Sequence, residues 1–269
     1  MEKTIRRILM PIYPDTSFLP EISQIAELAQ THKAVLHLLF IGDIGFYQSY
    51  LPWLLPKTSP LAETKIKLDL LNLWKERITK EYGIRVTTSV EWGKWRSTLL
   101  HYISANDIDL IVLHERAIPR RKFALLNSNL TYIIEKSPCQ VITLFTNPAS
   151  AKGWQQVVIP VTDFIPELRI QTILETAVSL KLKIHLVTVT AGEIDTRTSD
   201  FYFLTETLKR LKPAGNIQVE CKCLKNSFGP IDSFLQYTRS VGADILMTRM
   251  ANSEKNASNL KEMNFHLDY

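Results

Sequence analysis

Short apolar runs alternate along this chain with longer stretches in which apolar residues recur every three or four positions. Residues 8–12 and 35–41 are almost wholly apolar, as strands buried on both faces of a sheet are. Between them, Ile22, Ile25, Ala26, Leu28 and Ala29 form a helical stripe over residues 21–31. Residues 63–82 predict a longer helix with Ile66, Leu70, Leu73, Trp74 and Ile78 on one side, closed by Gly83. A third strand alternates over 85–91, and Leu99, Leu100 and Ile103 mark a third helix. A fourth strand follows at 109–113. Leu126, Leu130, Ile133 and Ile134 mark a fourth helix, and 140–145 is a fifth strand. Strands alternating with helices imply a parallel sheet covered on both faces, with right-handed crossovers. In such folds ligands bind beyond the C-terminal ends of the strands, which singles out the loops after the first and fourth strands.

The same pattern then starts again. Arg7-Ile8-Leu9-Met10-Pro11-Ile12-Tyr13 matches Gln156-Val157-Val158-Ile159-Pro160-Val161-Thr162, and Val35-Leu36-His37-Leu38-Leu39 matches Lys183-Ile184-His185-Leu186-Val187. Ile108-Asp109-Leu110-Ile111-Val112-Leu113 matches Ala243-Asp244-Ile245-Leu246-Met247-Thr248, with Tyr102 and Tyr237 in register. The matches keep one order, so the sequence reads as a duplication. The fold expected is α/β: two tandem Rossmann or flavodoxin-like domains with parallel sheets, packed as a pseudo-symmetric pair. The domains run over 1–147 and 154–269, the second shortened at its C-terminus, with a small, proline-broken linker at 148–153. Copy one carries an insert around 42–61 in which Phe46, Tyr47, Tyr50, Leu51, Trp53, Leu54 and Leu55 lie between prolines. An apolar loop of this kind caps a cleft, covers the neighbouring copy or binds a partner.

Length and charge narrow the class. The chain has 269 residues, 45% of them hydrophobic, and a net charge of +5. No apolar run approaches the roughly 18 residues of a membrane helix, and residues 1–7 do not read as a signal peptide. The chain is therefore expected to be cytoplasmic, without membrane contact. Its basic residues are spread out except at Arg116 and Arg120-Arg121-Lys122, which is too small a field to suggest nucleic-acid binding. Cys221 and Cys223 alternate on a strand pattern, so both thiols are expected on one buried sheet face; no further metal ligands stand nearby. A phosphate loop of the P-loop type, a Gly-x-Ser-x-Gly elbow, His-Glu-x-x-His and zinc-type spacings are all absent, so no catalytic residue, metal or enzymatic activity is assigned.

Three features together resemble the universal stress protein family: the strand ending in Pro11-Ile12, Gly93 ahead of Asp109, and Ser137-Pro138-Cys139-Gln140-Val141-Ile142 entering the fifth strand. The resemblance covers nearly all of copy one and copy two to about Arg249. It implies a stress-response role, and tandem two-domain members exist. Nucleotide-binding members carry Gly-x2-Gly-x9-Gly-(Ser/Thr) after the fourth strand, where glycine lets backbone amides approach phosphate. Here the spacing is kept, with His114, Ala117 and Asn127 at the glycine positions and Ser128 matching. The aspartate that usually ends the first strand is replaced by Tyr13, with Asp15 two residues on; copy two has Thr162 and then Asp163. In copy two Phe228 stands at the place of Gly93, followed by Gly229.

The resulting expectation is a non-catalytic binding or scaffold module with a degenerate nucleotide site, no bound cofactor and an unidentified protein partner. It forms a homodimer or an intrachain pseudo-dimer. The competing reading is an ATP or AMP sensor, or a phosphate sensor, in which Arg116, Arg120, Arg121 and Lys122 replace the glycine amides. His37 and His185 are expected as satisfied core or interface histidines, and Trp92 and Trp95 as packing rather than base-stacking groups. The tail Asn264-Phe265-His266-Leu267-Asp268-Tyr269 alternates and is expected to supply copy two's missing strand.

Overall fold

The computed structural model describes residues 5–12, 19–42, 60–114, 128–145, 154–162, 164–167, 169–172, 174, 182–190, 199–211, 218–225 and 229–248. The chain divides into two compact units, Met1–Ala124 and Leu125–Tyr269. The linker expected at 148–153 falls inside the second of these units rather than between the two.

In the first unit, β1 (Arg7–Pro11), β2 (Val35–Gly42), β3 (Val86–Trp92) and β4 (Leu110–His114) alternate with α1 (Leu19–Thr31), α2 (Pro60–Tyr82) and α3 (Trp95–Ala105). The strands lie in the order β3-β2-β1-β4, all parallel. The β4 residues are all buried, as are those of β1 after Arg7, which is why both read as unbroken apolar runs. On α2 the buried positions are Leu71 and Ile78, whereas Ile66 and Leu73 are exposed. The apolar stripe expected from Ile66 and Leu73 is thus corrected. Both faces of this helix carry apolar residues, so periodicity alone could not orient it.

The second unit contains α4 (Ser128–Lys136), β5 (Gln140–Leu144), β6 (Gln156–Pro160), β7 (Lys183–Thr190), α5 (Ser199–Leu211), β8 (Gln218–Lys225), α6 (Pro230–Ser240) and β9 (Ile245–Thr248). Its strand order is β5-β9-β6-β7-β8. All pairs are parallel except β5 with β9, where Val141 faces Thr248 and Leu144 faces Ile245 in antiparallel register. The tail 264–269 lies outside the described residues. Among the described residues β9 is bonded to β6 on one side and β5 on the other. β5 is buried along its whole length, and pairing with β9 satisfies backbone groups that water cannot reach.

The bonds that close each sheet recur. Asp109 Oδ2 accepts from the backbone N–H groups of Arg6 (3.0 Å) and Arg7 (3.2 Å). Asp244 Oδ2 accepts from those of Gln155 (2.8 Å) and Gln156 (2.9 Å). Each carboxylate ties the turn before one strand to the start of another, setting Ile8 beside Leu110 in the first case and Val157 beside Ile245 in the second. The Ile12 N–H donates to Leu39 C=O and the Val161 N–H to Val187 C=O, both at 2.8 Å. Matching sequence positions therefore carry matching physical duties.

Candidate functional site

The parallel strands of the first unit place the candidate site beyond the C-terminal ends of β1 and β4. Of the residues singled out there, Tyr13, Asp15, Ala117, Arg120, Arg121 and Asn127 lie outside the described residues. His114 closes β4 and is 1% exposed. Its imidazole belongs to the packed interior, at the position where the loop pattern would start with an open glycine. Ser128 opens α4.

The neighbouring corner is built by the C-terminal ends of β2 and β3. Gly42 pairs with Trp92, and the Gly93 N–H donates to the Gly42 carbonyl at 2.9 Å. A Cβ on Gly42 would lie 2.4 Å from the Trp92 ring, so only glycine admits the indole. Trp92 Nε1 donates to Thr64 Oγ1 at 2.8 Å, and its ring meets Phe40 edge-on. Trp92 is a packing group, as expected. Gly93 has φ +156°, and a Cβ there would lie 2.6 Å from Thr98 Oγ1, which explains a glycine just before α3.

In the second unit Thr162 is half-buried after β6, and Asp163 lies outside the described residues. A residue that the sequence reading did not select dominates this end. Arg169 is 2% exposed; its Nη1 donates to the carbonyl of Pro160, the last residue of β6, at 2.8 Å. Its guanidinium lies 5.3 Å from the centre of the buried Phe164 ring, a cation–π contact. Its only signal in the sequence is a single basic residue among apolar neighbours, Phe164, Ile165 and Ile170.

The paired histidines are core groups. His37 Nδ1 is 3.3 Å from the Tyr102 hydroxyl and His185 Nδ1 is 3.1 Å from that of Tyr237. His185 Nε2 also faces Gln156 Oε1 at 3.0 Å, an acceptor, so Nε2 carries the proton and Nδ1 accepts from Tyr237. Burial lowers both histidine pKa values, helped by Arg7 at His37 and by Lys183 at His185, where Glu220 opposes the shift. The unfolded imidazole titrates at about 6.5. As pH falls below that value the unfolded chain takes up protons that the folded histidines resist, so stability is full above it and declines toward the folded values. In urea denaturation, His185→Gln should lose less stability than the parent chain when pH is lowered through this window. An equal loss would contradict the assignment.

The cysteine expectation is corrected. Cys221 is exposed and Cys223 half-buried, because β8 is the outer strand of its sheet among the described residues. No group of three or more metal-ligating side chains occurs among the described residues. A cleft of about 240 Å³ runs along α1 and α2 between Ile22, Trp74, Arg77 and Ile78. It lies on helices rather than across strand ends, so it does not coincide with the candidate site. No helix among the described residues is long and apolar enough to cross a membrane.

Comparison with solved structures places this architecture. A universal stress protein from Archaeoglobus fulgidus DSM 4304 is similar with a TM-score of 0.60 at 14% identity, covering 89% of this chain and 83% of that one. A putative universal stress protein from Pseudomonas aeruginosa UCBPP-PA14 gives 0.53 at 18% identity, over 89% and 80%. The cytoplasmic domain of a prokaryotic cation chloride cotransporter gives 0.53 at 14% identity, over 91% and 95%. At these identities the likeness is one of fold. No curated protein matches the chain. The sequence model of the universal stress protein family matches residues 4–144, about half of the chain and all of β1 to β5. The chain belongs to the universal stress protein family.

Proposed function

We propose that this chain is a two-copy, non-catalytic member of its family that acts in the cytoplasm through protein contacts and has given up nucleotide binding. The observation that carries this reading is Arg169. At the C-terminal end of β6, where a nucleoside would be held in copy two, the guanidinium is buried, bonded to the Pro160 carbonyl and set against Phe164. A phosphate-binding arginine presents its donors to solvent or ligand; this one is 2% exposed, with Nη1 bonded to a backbone carbonyl. In copy one, the buried His114 supports the same reading, because an imidazole fills the position where a phosphate loop needs bare backbone.

The test is isothermal titration of the purified chain with ATP, AMP and cyclic AMP in the presence of magnesium. The expected result is no saturable heat, together with no nucleotide released when the protein is denatured. Saturable binding abolished by Arg120→Ala/Arg121→Ala would overturn the proposal and establish a sensor that binds phosphate through side chains.

A further inference from the structure

We infer that Cys221 and Cys223 form a two-thiolate site for a soft, thiophilic cation of the Cu(I) class. The two residues alternate on β8, so their side chains leave the same face of the sheet. β8 pairs only with β7 among the described residues, and Cys221 is exposed, which leaves the pair open to a cation or its carrier.

The geometry selects among the reactions open to two thiols. Same-face residues two apart on a strand stand about 6.6 Å apart, with parallel Cα–Cβ directions. A disulfide requires Cβ atoms within about 4.5 Å, so the strand blocks closure between these two cysteines. A cation bound by two sulfurs at about 2.3 Å each spans up to about 4.6 Å, which the side chains reach if each sulfur leans inward by about 1 Å. Zinc in a structural site takes four ligands, and the described residues supply no third. A pair of thiolates suits a soft cation of low coordination number.

The strand beside the pair carries a second observation. Thr188 faces Cys223 across the β7–β8 ladder, on the same side of the sheet. It is 1% exposed, and its hydroxyl has no hydrogen-bond partner among the described residues. A buried donor left unsatisfied is costly, and a metal-bound thiolate is an acceptor that can satisfy it. On binding, each thiol gives its proton to solvent and each sulfur donates an electron pair to the cation; no electron is transferred.

The test uses the full reduced chain under anaerobic conditions, with Cu(I) offered as its bicinchoninate complex and the loss of that complex's colour recorded. One equivalent should be withdrawn by the parent chain. Cys221→Ser and Cys223→Ser should each weaken capture by roughly tenfold or more, and Thr188→Val severalfold. Cys139→Ser should leave capture unchanged, because Cys139 is buried beside Ser137. Circular dichroism of each variant separates lost ligands from lost fold. No withdrawal by the parent chain, or withdrawal unaffected in folded Cys221→Ser and Cys223→Ser, would overturn the site.

Discussion

Replacing Asp244 by alanine should destabilise the chain by about 3–5 kcal/mol, well beyond the ordinary cost of a single substitution. Asp244 is 2% exposed, and one of its oxygens accepts from two successive backbone N–H groups, at 2.8 and 2.9 Å. Hydrogen bonds to a charged acceptor contribute about 1.5–3 kcal/mol each, and alanine would leave both donors without this acceptor. The bonds also set where β6 meets β9, so their loss should loosen the start of the strand beyond the local contacts. Asp109 offers the comparison. It makes the same two bonds at 3.0 and 3.2 Å but is more exposed, and water can replace it. Asp109→Ala should therefore cost only about 1–2 kcal/mol. Urea denaturation measures both, and amide exchange at Gln155 and Gln156 should accelerate in Asp244→Ala. Equal costs at the two sites would show that burial does not set the strength of this link.

Gly42→Ala should cost about 2–3 kcal/mol, although alanine is otherwise the smallest possible insult to a strand. Its Cβ would stand 2.4 Å from two carbons of the Trp92 ring, well inside contact distance. The indole cannot simply turn away, because its Nε1–H bonds Thr64 on α2 and its ring packs against Phe40. Relief must come from movement of β2, β3 or α2. Trp92→Leu removes the obstructing ring, so Gly42→Ala introduced into Trp92→Leu should cost little. A double-mutant cycle by thermal or urea denaturation isolates this coupling. If the cost of Gly42→Ala is unchanged without the indole, the glycine is required for backbone reasons instead. The corner also borders the candidate site, so the same substitution should disturb the loop that follows Gly93.

Sequence by itself determined the alternation of strands and helices, because runs buried on both faces of a parallel sheet must be apolar throughout. It also determined the correspondence of His37 with His185, Tyr102 with Tyr237 and Asp109 with Asp244. Each pair performs a local duty, a buried hydrogen bond or a strand tie, that cannot be moved without loss. The candidate site was legible only as departures from a glycine pattern, since a missing glycine says what does not fit and not what fills the space.

Tertiary structure alone decided the rest. Strand periodicity carries no information about partners, so the antiparallel pairing of β5 with β9 could not be read from either segment. Alternation assigned Cys221 and Cys223 to one face, but whether that face is covered depends on β8 being outermost among the described strands. The stripe on α2 was ambiguous because apolar residues occur around the helix, and only its packing chose Leu71 over Ile66 and Leu73. Arg169 shows the limit most clearly. A basic residue is read as solvated until a carbonyl and an aromatic ring, brought together by the fold, make its burial favourable.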